Sequence, residues 1–300
     1  MKNKLSLIIA SIAALVIGAG VYVYFTFFNG IDFAQNVPKN AVIVMKADVM
    51  GMASKIDFKE NNQTSSMKNE LMKNLTSSQK KMIEDISSNP LKSGIKFASE
   101  PTMCLFNANS AKESAVVAFM FGISDPKDFK SALTEISKDI NIKDADPSGF
   151  YEVIIPYSDD FVIYFNDSMG IILSDIDNKG IDLKSVRDQM VGLKSDESIL
   201  SKEDYKSLDK QSNDLMAYFS MDELINAVAI NNRNEKDLKI MRNISKALPF
   251  GYTLNFEEDA IALKVIGSES QESSLGSFYN EDGFSNDDLK NIDPKGTPLA

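Results

Sequence analysis

Asp175-Ile176-Asp177-Asn178-Lys179-Gly180 places oxygen-bearing side chains at alternate positions ahead of a glycine, the spacing with which a loop wraps calcium. Lys179 stands at a ligand position, however, and Val186 stands where such a loop supplies its bidentate acid. Asp144-Ala145-Asp146-Pro147-Ser148-Gly149 matches the first half better, but Ile155 again fills the last ligand position. Polar turns ahead of a helix or strand account for both, so neither a metal nor a cofactor is expected. Ser-x-x-Lys, the spacing of a nucleophile with a nearby amine base, occurs at Ser65/Lys68, Ser77/Lys80, Ser93/Lys96, Ser124/Lys127 and Ser207/Lys210. In a chain rich in both residues this spacing recurs by chance, and these sites read as solvated helix faces or turns. Cys104, within Met103-Cys104-Leu105-Phe106, reads as a packing residue rather than a nucleophile. Paired carboxylates for glycosidic hydrolysis need a defined separation in space, which spacing along the chain does not give.

Composition removes larger classes at once. The 300 residues include no histidine, which eliminates Ser-His-Asp, Cys-His and His-metal chemistry. A single cysteine excludes an intramolecular disulfide and a thiolate zinc cage. The net charge of −11, with Arg187, Arg233 and Arg242 as the only arginines, argues against a nucleic-acid partner, whose phosphates need a basic stripe. With 43% apolar and 25% charged residues, the chain has the mix of a folded globular protein. Fourteen methionines and eighteen phenylalanines, without tryptophan, read as adaptable core filler. No catalytic residue emerges, and the expectation is a protein that is not an enzyme.

The elements that must position any site begin with an anchor. After Lys2 and Lys4, the run Leu5–Phe28 is almost wholly apolar or small. As a helix it would reach about 36 Å, enough to cross a hydrocarbon core of about 30 Å. A cleaved signal peptide with Gly18-Ala19-Gly20 at its end is the rival reading. The apolar run continues through Val21-Tyr22-Val23-Tyr24-Phe25, beyond a secretory core of about 7–15 residues, and favours retention. The flanking lysines predict a cytoplasmic stub and an exported remainder, a single-pass inner-membrane protein with its C-terminal domain in the periplasm. Ser6, Ala10, Ala14 and Gly18 lie on one face of this helix, where small residues let two membrane helices approach and self-associate.

Beyond the anchor, apolar periodicity alternates between that of strands and that of helices. Strands are expected at Ala41–Met45, Thr102–Phe106, Ala115–Gly122, Tyr151–Ile155, Phe161–Phe165, Gly170–Leu173 and Leu215–Phe219, with a closing hairpin of Tyr252–Phe256 and Ala260–Ile266. Helices are expected after Asp48, from Met67 to Ile86, after Asp125-Pro126, after Asp182, at Met221–Ile230 and over Glu235–Leu248. Hairpins outnumber crossovers, so the fold class is α+β: a mostly antiparallel, curved sheet covered by helices, preceded by one transmembrane helix. The division is an anchor at 1–31, an exported domain at 32–267 and an acidic linker at 268–300. Ala41–Ile56 and Met216–Ile230 both read as strand, acid, helix, which suggests two similar halves.

Two segments carry a family resemblance. Asn36-Val37-Pro38-Lys39-Asn40-Ala41-Val42-Ile43-Val44, followed by Asp48-Val49 and Ala53-Ser54-Lys55, is one. Asn89-Pro90-Leu91-Lys92-Ser93-Gly94-Ile95, followed by Pro101 and Phe106, is the other. Together they resemble an uncharacterised family of Bacteroidetes cell-envelope proteins, the domain of unknown function 4836. The resemblance implies location and brings no catalytic residues. Many members are lipid-anchored, and this chain has no cysteine after its apolar run, so a protein anchor must substitute. Asp167-Ser168-Met169 resembles the acceptor those bacteria use for O-glycosylation, with Ser168 the candidate. The end of the chain, Pro294-Lys295-Gly296-Thr297-Pro298, echoes Pro38-Lys39-Asn40 and suggests a further module beyond residue 300. The leading functional expectation is a membrane-anchored envelope protein that binds or assembles with an envelope partner. A carrier or sensor of an apolar or lipidic ligand comes second, and a carboxylate-based hydrolase third.

Overall fold

Alternating burial defines the strands. Along Ser114–Ile123 the even-numbered Val116, Ala118 and Met120 enter one core and the odd-numbered Phe121 and Ile123 another, so both faces of this strand are packed. The computed structural model describes residues 31–49, 51–52, 93–109, 114–136, 139–155, 161–211, 213–231, 249–256 and 261–267. Eleven strands follow in order: β1 Ala41–Ala47, β2 Ile95–Lys96, β3 Thr102–Asn109, β4 Ser114–Ile123, β5 Asn141–Lys143, β6 Tyr151–Ile154, β7 Phe161–Phe165, β8 Met169–Asp175, β9 Leu215–Phe219, β10 Pro249–Phe256 and β11 Ile261–Gly267. They form one sheet in the order β11-β10-β9-β1-β3-β4-β8-β7-β6-β5, with β2 added beside β4. Every pairing between these strands is antiparallel. Four α-helices are described from end to end, α1 Pro126–Ile136, α2 Leu183–Val191, α3 Glu203–Asp209 and α4 Met221–Asn231, and Val49, Gly51 and Met52 are helical after Asp48.

Register is pinned by an unbroken apolar row. Val265, Tyr252, Ala217, Met45, Met103, Phe119, Ile172, Ile163, Val153 and Ile142 lie opposite one another across ten strands. A slip of one residue in any strand would turn its share of the row to the other face. On the row's side, α1 covers one end with Phe129 and Leu133, and the Phe129 ring meets Phe165 edge-on at 5.0 Å. On the opposite side Val44, Cys104, Ala118, Leu173 and Tyr218 are covered by Phe33 and Val37, by α2 through Val186 and Met190, and by α3 through Tyr205 and Leu208.

The helix starts follow cap chemistry. Asp125 Oδ1 accepts the Lys127 and Asp128 N–H groups at 2.7 and 3.1 Å and opens α1, with Pro126 at the first helical position. Asp182 does the same for α2 through Lys184 and Ser185. Gly94 (φ +69°) lets β2 turn beneath α1: its carbonyl accepts the Ser124 N–H at 2.8 Å, and a Cβ there would stand 2.3 Å from Asp125 O and Phe129 N.

β1 and β9 lie side by side at the middle of the order, and each pairs outward with the first strand of a hairpin, β3–β4 and β10–β11. The structure corrects several boundaries. β3 runs on to Asn109, so the expected loop from Asn107 is shorter, and β8 extends to Asp175. β2, β5 and α3 were not foreseen, because each holds only one or two apolar residues in too short a run to show a period. No helix among the described residues is long and apolar enough to cross a membrane. The apolar run Leu5–Phe28 with Ser6, Ala10, Ala14 and Gly18, the expected helices at Met67–Ile86 and Glu235–Leu248, and the segment 268–300 lie outside the described residues.

Candidate functional site

In the two acidic loops that suggested calcium, several carboxylate oxygens are held by the fold, while Asp175 Oδ1 is buried without a hydrogen-bond partner among the described residues. Asp146 Oδ1 accepts the Ser148 and Phe150 N–H groups at 3.0 and 3.2 Å, an Asx turn closed on itself. Its Oδ2 accepts Arg187 Nη2 at 2.7 Å and lies 3.4 Å from Lys184 Nζ. Burial opposes the charge on this carboxylate, but the Ser148 and Arg187 hydrogen bonds hold its pKa well below the usual range. In the second loop, Asp175 Oδ2 accepts the Ile181 N–H at 3.2 Å and Asp177 Oδ2 the Ala115 N–H at 3.1 Å. No cluster of three metal-binding side chains occurs among the described residues.

Arg187, on α2, is 1% exposed. Its guanidinium lies over the Phe150 and Tyr164 rings, with centroids at 4.8 and 4.6 Å, and pairs with Asp146 and Asp188. Nε donates to Asp188 Oδ1 at 2.9 Å and Nη2 to Ser148 Oγ at 3.1 Å. The arginine therefore staples α2 to the loop before β6 and to β7, using planar stacking and forked donors together.

A second buried cation holds the opposite side of the same core. Lys46 Nζ meets Asp209 at 2.7 Å, Glu100 at 2.8 Å and Asp32 at 3.3 Å, and its side chain is 10% exposed. Desolvation disfavours the ammonium, but the Tyr205 oxygen and the three carboxylates outweigh it and raise its pKa above the ordinary value. An amine held charged in this way is no nucleophile. Asp32 and Glu100 are 48% and 42% exposed, so water screens part of the attraction. Lys46→Met is accordingly expected to cost about 2 kcal/mol, read as a lower urea midpoint with unchanged m-value.

A serine and a lysine do meet, at a pair that no sequence spacing marks. Lys202 Nζ donates to Ser220 Oγ at 2.7 Å and to Glu223 Oε1 at 3.3 Å. Ser220 is buried at the start of α4, and the same ammonium pairs with Glu223 of that helix, so the contacts tie the residue ahead of α3 to the first turn of α4. Among the Ser-x-x-Lys sites, Ser124 precedes α1, Ser207 lies in α3 with Lys210 just after its end, and Ser93, expected to be solvated, is buried with its Oγ accepting the Ile95 N–H. Ser65/Lys68 and Ser77/Lys80 lie outside the described residues. Cys104 is fully buried, and desolvation pushes its thiol up to about 12. Thiol reagents are expected to leave it unlabelled at neutral pH until denaturant is added; labelling of the folded protein would contradict its burial.

A cleft opens beside the first strand. The turn Pro38-Lys39-Asn40, the end of β3 at Phe106-Asn107-Ala108 and the last turn of α2 border an open cavity of about 590 Å3. Phe106, Val186 and Met190 supply an apolar floor, and Lys39, Asn107, Asp188, Gln189 and Glu197 a polar rim. Its walls are tied by side-chain amides: Asn40 Nδ2 donates to Asn107 O at 2.8 Å, Asn36 Nδ2 to Met190 O at 3.2 Å, and Gln35 Nε2 to Leu193 O at 3.1 Å. The Lys39 N–H donates to Glu197 O at 2.8 Å. Asp188 belongs both to this rim and to the Arg187 cluster. The turn Pro38-Lys39-Asn40 is marked in the sequence by its proline, but the wall opposite, α2, comes from about 150 residues away, and no local signal could join them. Ser168, the candidate acceptor, is exposed in the turn from β7 to β8, where its Oγ donates to Asn166 Oδ1 at 3.1 Å.

No curated protein matches this sequence. Solved structures of TP0453 align with it at 10% identity: crystal form III with a TM-score of 0.43, form I with 0.40 and form IV with 0.39. The alignments cover 83%, 83% and 64% of this chain, and 85%, 84% and 65% of those chains, the last less than two thirds. The turn that forms the cleft wall, all four helices and the whole sheet fall within residues 33–274, which match the family model described as Domain of unknown function (DUF4836), and the chain belongs to that family.

Proposed function

We propose that this protein is a non-enzymatic binding module, held at the outer face of the cytoplasmic membrane by its N-terminal apolar run and presenting the cleft beside Pro38–Asn40 to an envelope partner. The observation that carries the reading is the cleft itself, a concave site with an apolar floor and a hydrogen-bonding rim on rigid elements. Support for a non-catalytic role comes from the reactive groups. Lys46, Arg187, Lys202 and Asp146 each close an ion pair away from any open nucleophile. The rim holds Lys39, Asp188 and Glu197, which suits a partner carrying polar groups better than a purely apolar ligand.

A photoreactive residue at Lys39 or Gln189, both on the rim, tests this in the intact membrane. The expected result is one and the same adduct from both positions and none from Asp167, exposed in the β7–β8 turn. Identical adducts from all three, or none from the rim, would overturn it. An alkaline phosphatase fused after residue 300 is expected to be active, as an exported C-terminal domain requires; an inactive fusion with an active cytoplasmic reporter would reverse the orientation.

A further inference from the structure

We infer that the strand end carrying Asp175 and Ser114 is a calcium site, built where β8 runs into the loop before α2. Two buried oxygens there have no hydrogen-bond partner among the described residues: Asp175 Oδ1, on a residue 5% exposed, and Ser114 Oγ, on a residue 0% exposed. They belong to one face of the sheet. Asp175 pairs with Val116, and Ser114 stands two residues before Val116 on β4. Both therefore continue the rows of Ile171 and Leu173 and of Val116 and Ala118 that line the larger core. Side chains on such a diagonal have Cβ atoms about 7 Å apart, a gap that one ion with oxygen ligands at about 2.3–2.6 Å spans.

The carboxylate is aimed into the loop, since its Oδ2 accepts the Ile181 N–H at 3.2 Å and the Asp175 carbonyl accepts the Asn178 N–H at 3.4 Å. Asp177 is drawn to the same strand end, where its Oδ2 accepts the N–H of Ala115, next to Ser114. Lys179 and Val186 break the loop's own ligand scheme, and the hydroxyl that joins its acids comes from a different strand.

Charge decides the occupant. No ammonium or guanidinium pairs with Asp175 among the described residues. A buried carboxylate needs a counter-charge. Water would satisfy both oxygens and leave the charge uncompensated, whereas a divalent cation answers both needs. Calcium accepts carboxylate, hydroxyl and carbonyl oxygens in irregular geometry; magnesium demands a near-ideal octahedron and keeps its waters. With only two carboxylates the expected Kd is about 0.1–1 mM, the range of extracellular modules. The loop ends at Asp182, the cap of α2, so the ion braces the helix that forms one wall of the cleft.

The full chain in detergent, stripped with a chelator, tests the site by calorimetric titration and by its thermal midpoint. One calcium per chain is expected, raising the midpoint by about 4 °C at a tenfold excess over Kd, with a much smaller rise for magnesium at equal concentration. Asp175→Asn keeps an acceptor for the Ile181 N–H and removes the charge. It should bind no calcium and, in chelator, melt no lower than the parent. Ser114→Ala leaves the carboxylate in place and should weaken binding about tenfold. No bound calcium, or an equal shift with magnesium, would overturn the inference. So would binding unchanged in both variants, which marks only adventitious attraction to a chain of net charge −11. A parent more stable than Asp175→Asn by the same margin with and without calcium would show the carboxylate to be a loop tie and no metal ligand.

Discussion

Arg187→Leu is expected to lower the thermal midpoint by about 10 °C, from a loss of about 4 kcal/mol. The substitution keeps an apolar stem against Phe150 and Tyr164 but leaves Asp146 and Asp188 without their buried cation. Arg187→Lys should recover part of the loss, since the charge returns without the planar stack or the forked donors. Scanning calorimetry of the three proteins decides it, and a leucine variant as stable as the parent would show that the cluster contributes nothing. The same cluster sets an acid dependence. Asp146 and Asp188 have folded pKa values below their unfolded ones, so their contribution is complete above about pH 4–5 and is lost as pH falls through the folded values. The parent should therefore lose stability more steeply below about pH 4 than Arg187→Leu, in which both carboxylates revert towards ordinary values. Because Asp188 also forms the cleft rim, the leucine variant should weaken rim crosslinking as well.

Gly94→Ala is expected to cost about 3 kcal/mol or more and to loosen α1. Two causes act together. The positive φ penalises any Cβ, and the new methyl would sit 2.3 Å from backbone atoms of Asp125 and Phe129, which cannot rotate away. Relief requires α1 to move off the sheet, opening the aromatic cluster of Phe121, Phe129 and Phe165. Amide exchange should accelerate in α1 before it does in β1 or β3. Uniform acceleration, or none, would show that Gly94 does not seat this helix.

Much of the framework was legible because its causes are local. Asp125-Pro126 and Asp182 announce α1 and α2, and nearly continuous apolar runs of about five to eight residues announce β1, β4, β7 and β9. α3 escaped because Tyr205 and Leu208 are its only buried positions, and β5 because Ile142 is its only apolar residue. The burial of Arg187 has no local signal. It lies between Val186 and Met190 on the buried stripe of α2, where a charge needs partners that the neighbouring sequence does not show. Those partners, Asp146, Phe150 and Tyr164, belong to other elements.

The sequence by itself determined the antiparallel α+β character of this protein, the positions of its main strands, and the caps that start α1 and α2. These depend on side-chain period and on hydrogen bonds that span two to four residues. Only the tertiary structure decided that β9 lies beside β1, that Lys46 and Arg187 are buried, and that the Asn36–Asn40 turn faces α2 across a cleft. Lys46 meets Asp209 across 163 positions and Asn36 meets Met190 across 154. A charge or an amide enters a core only where such distant partners replace its water, and which partners arrive is settled by the packing of the whole sheet.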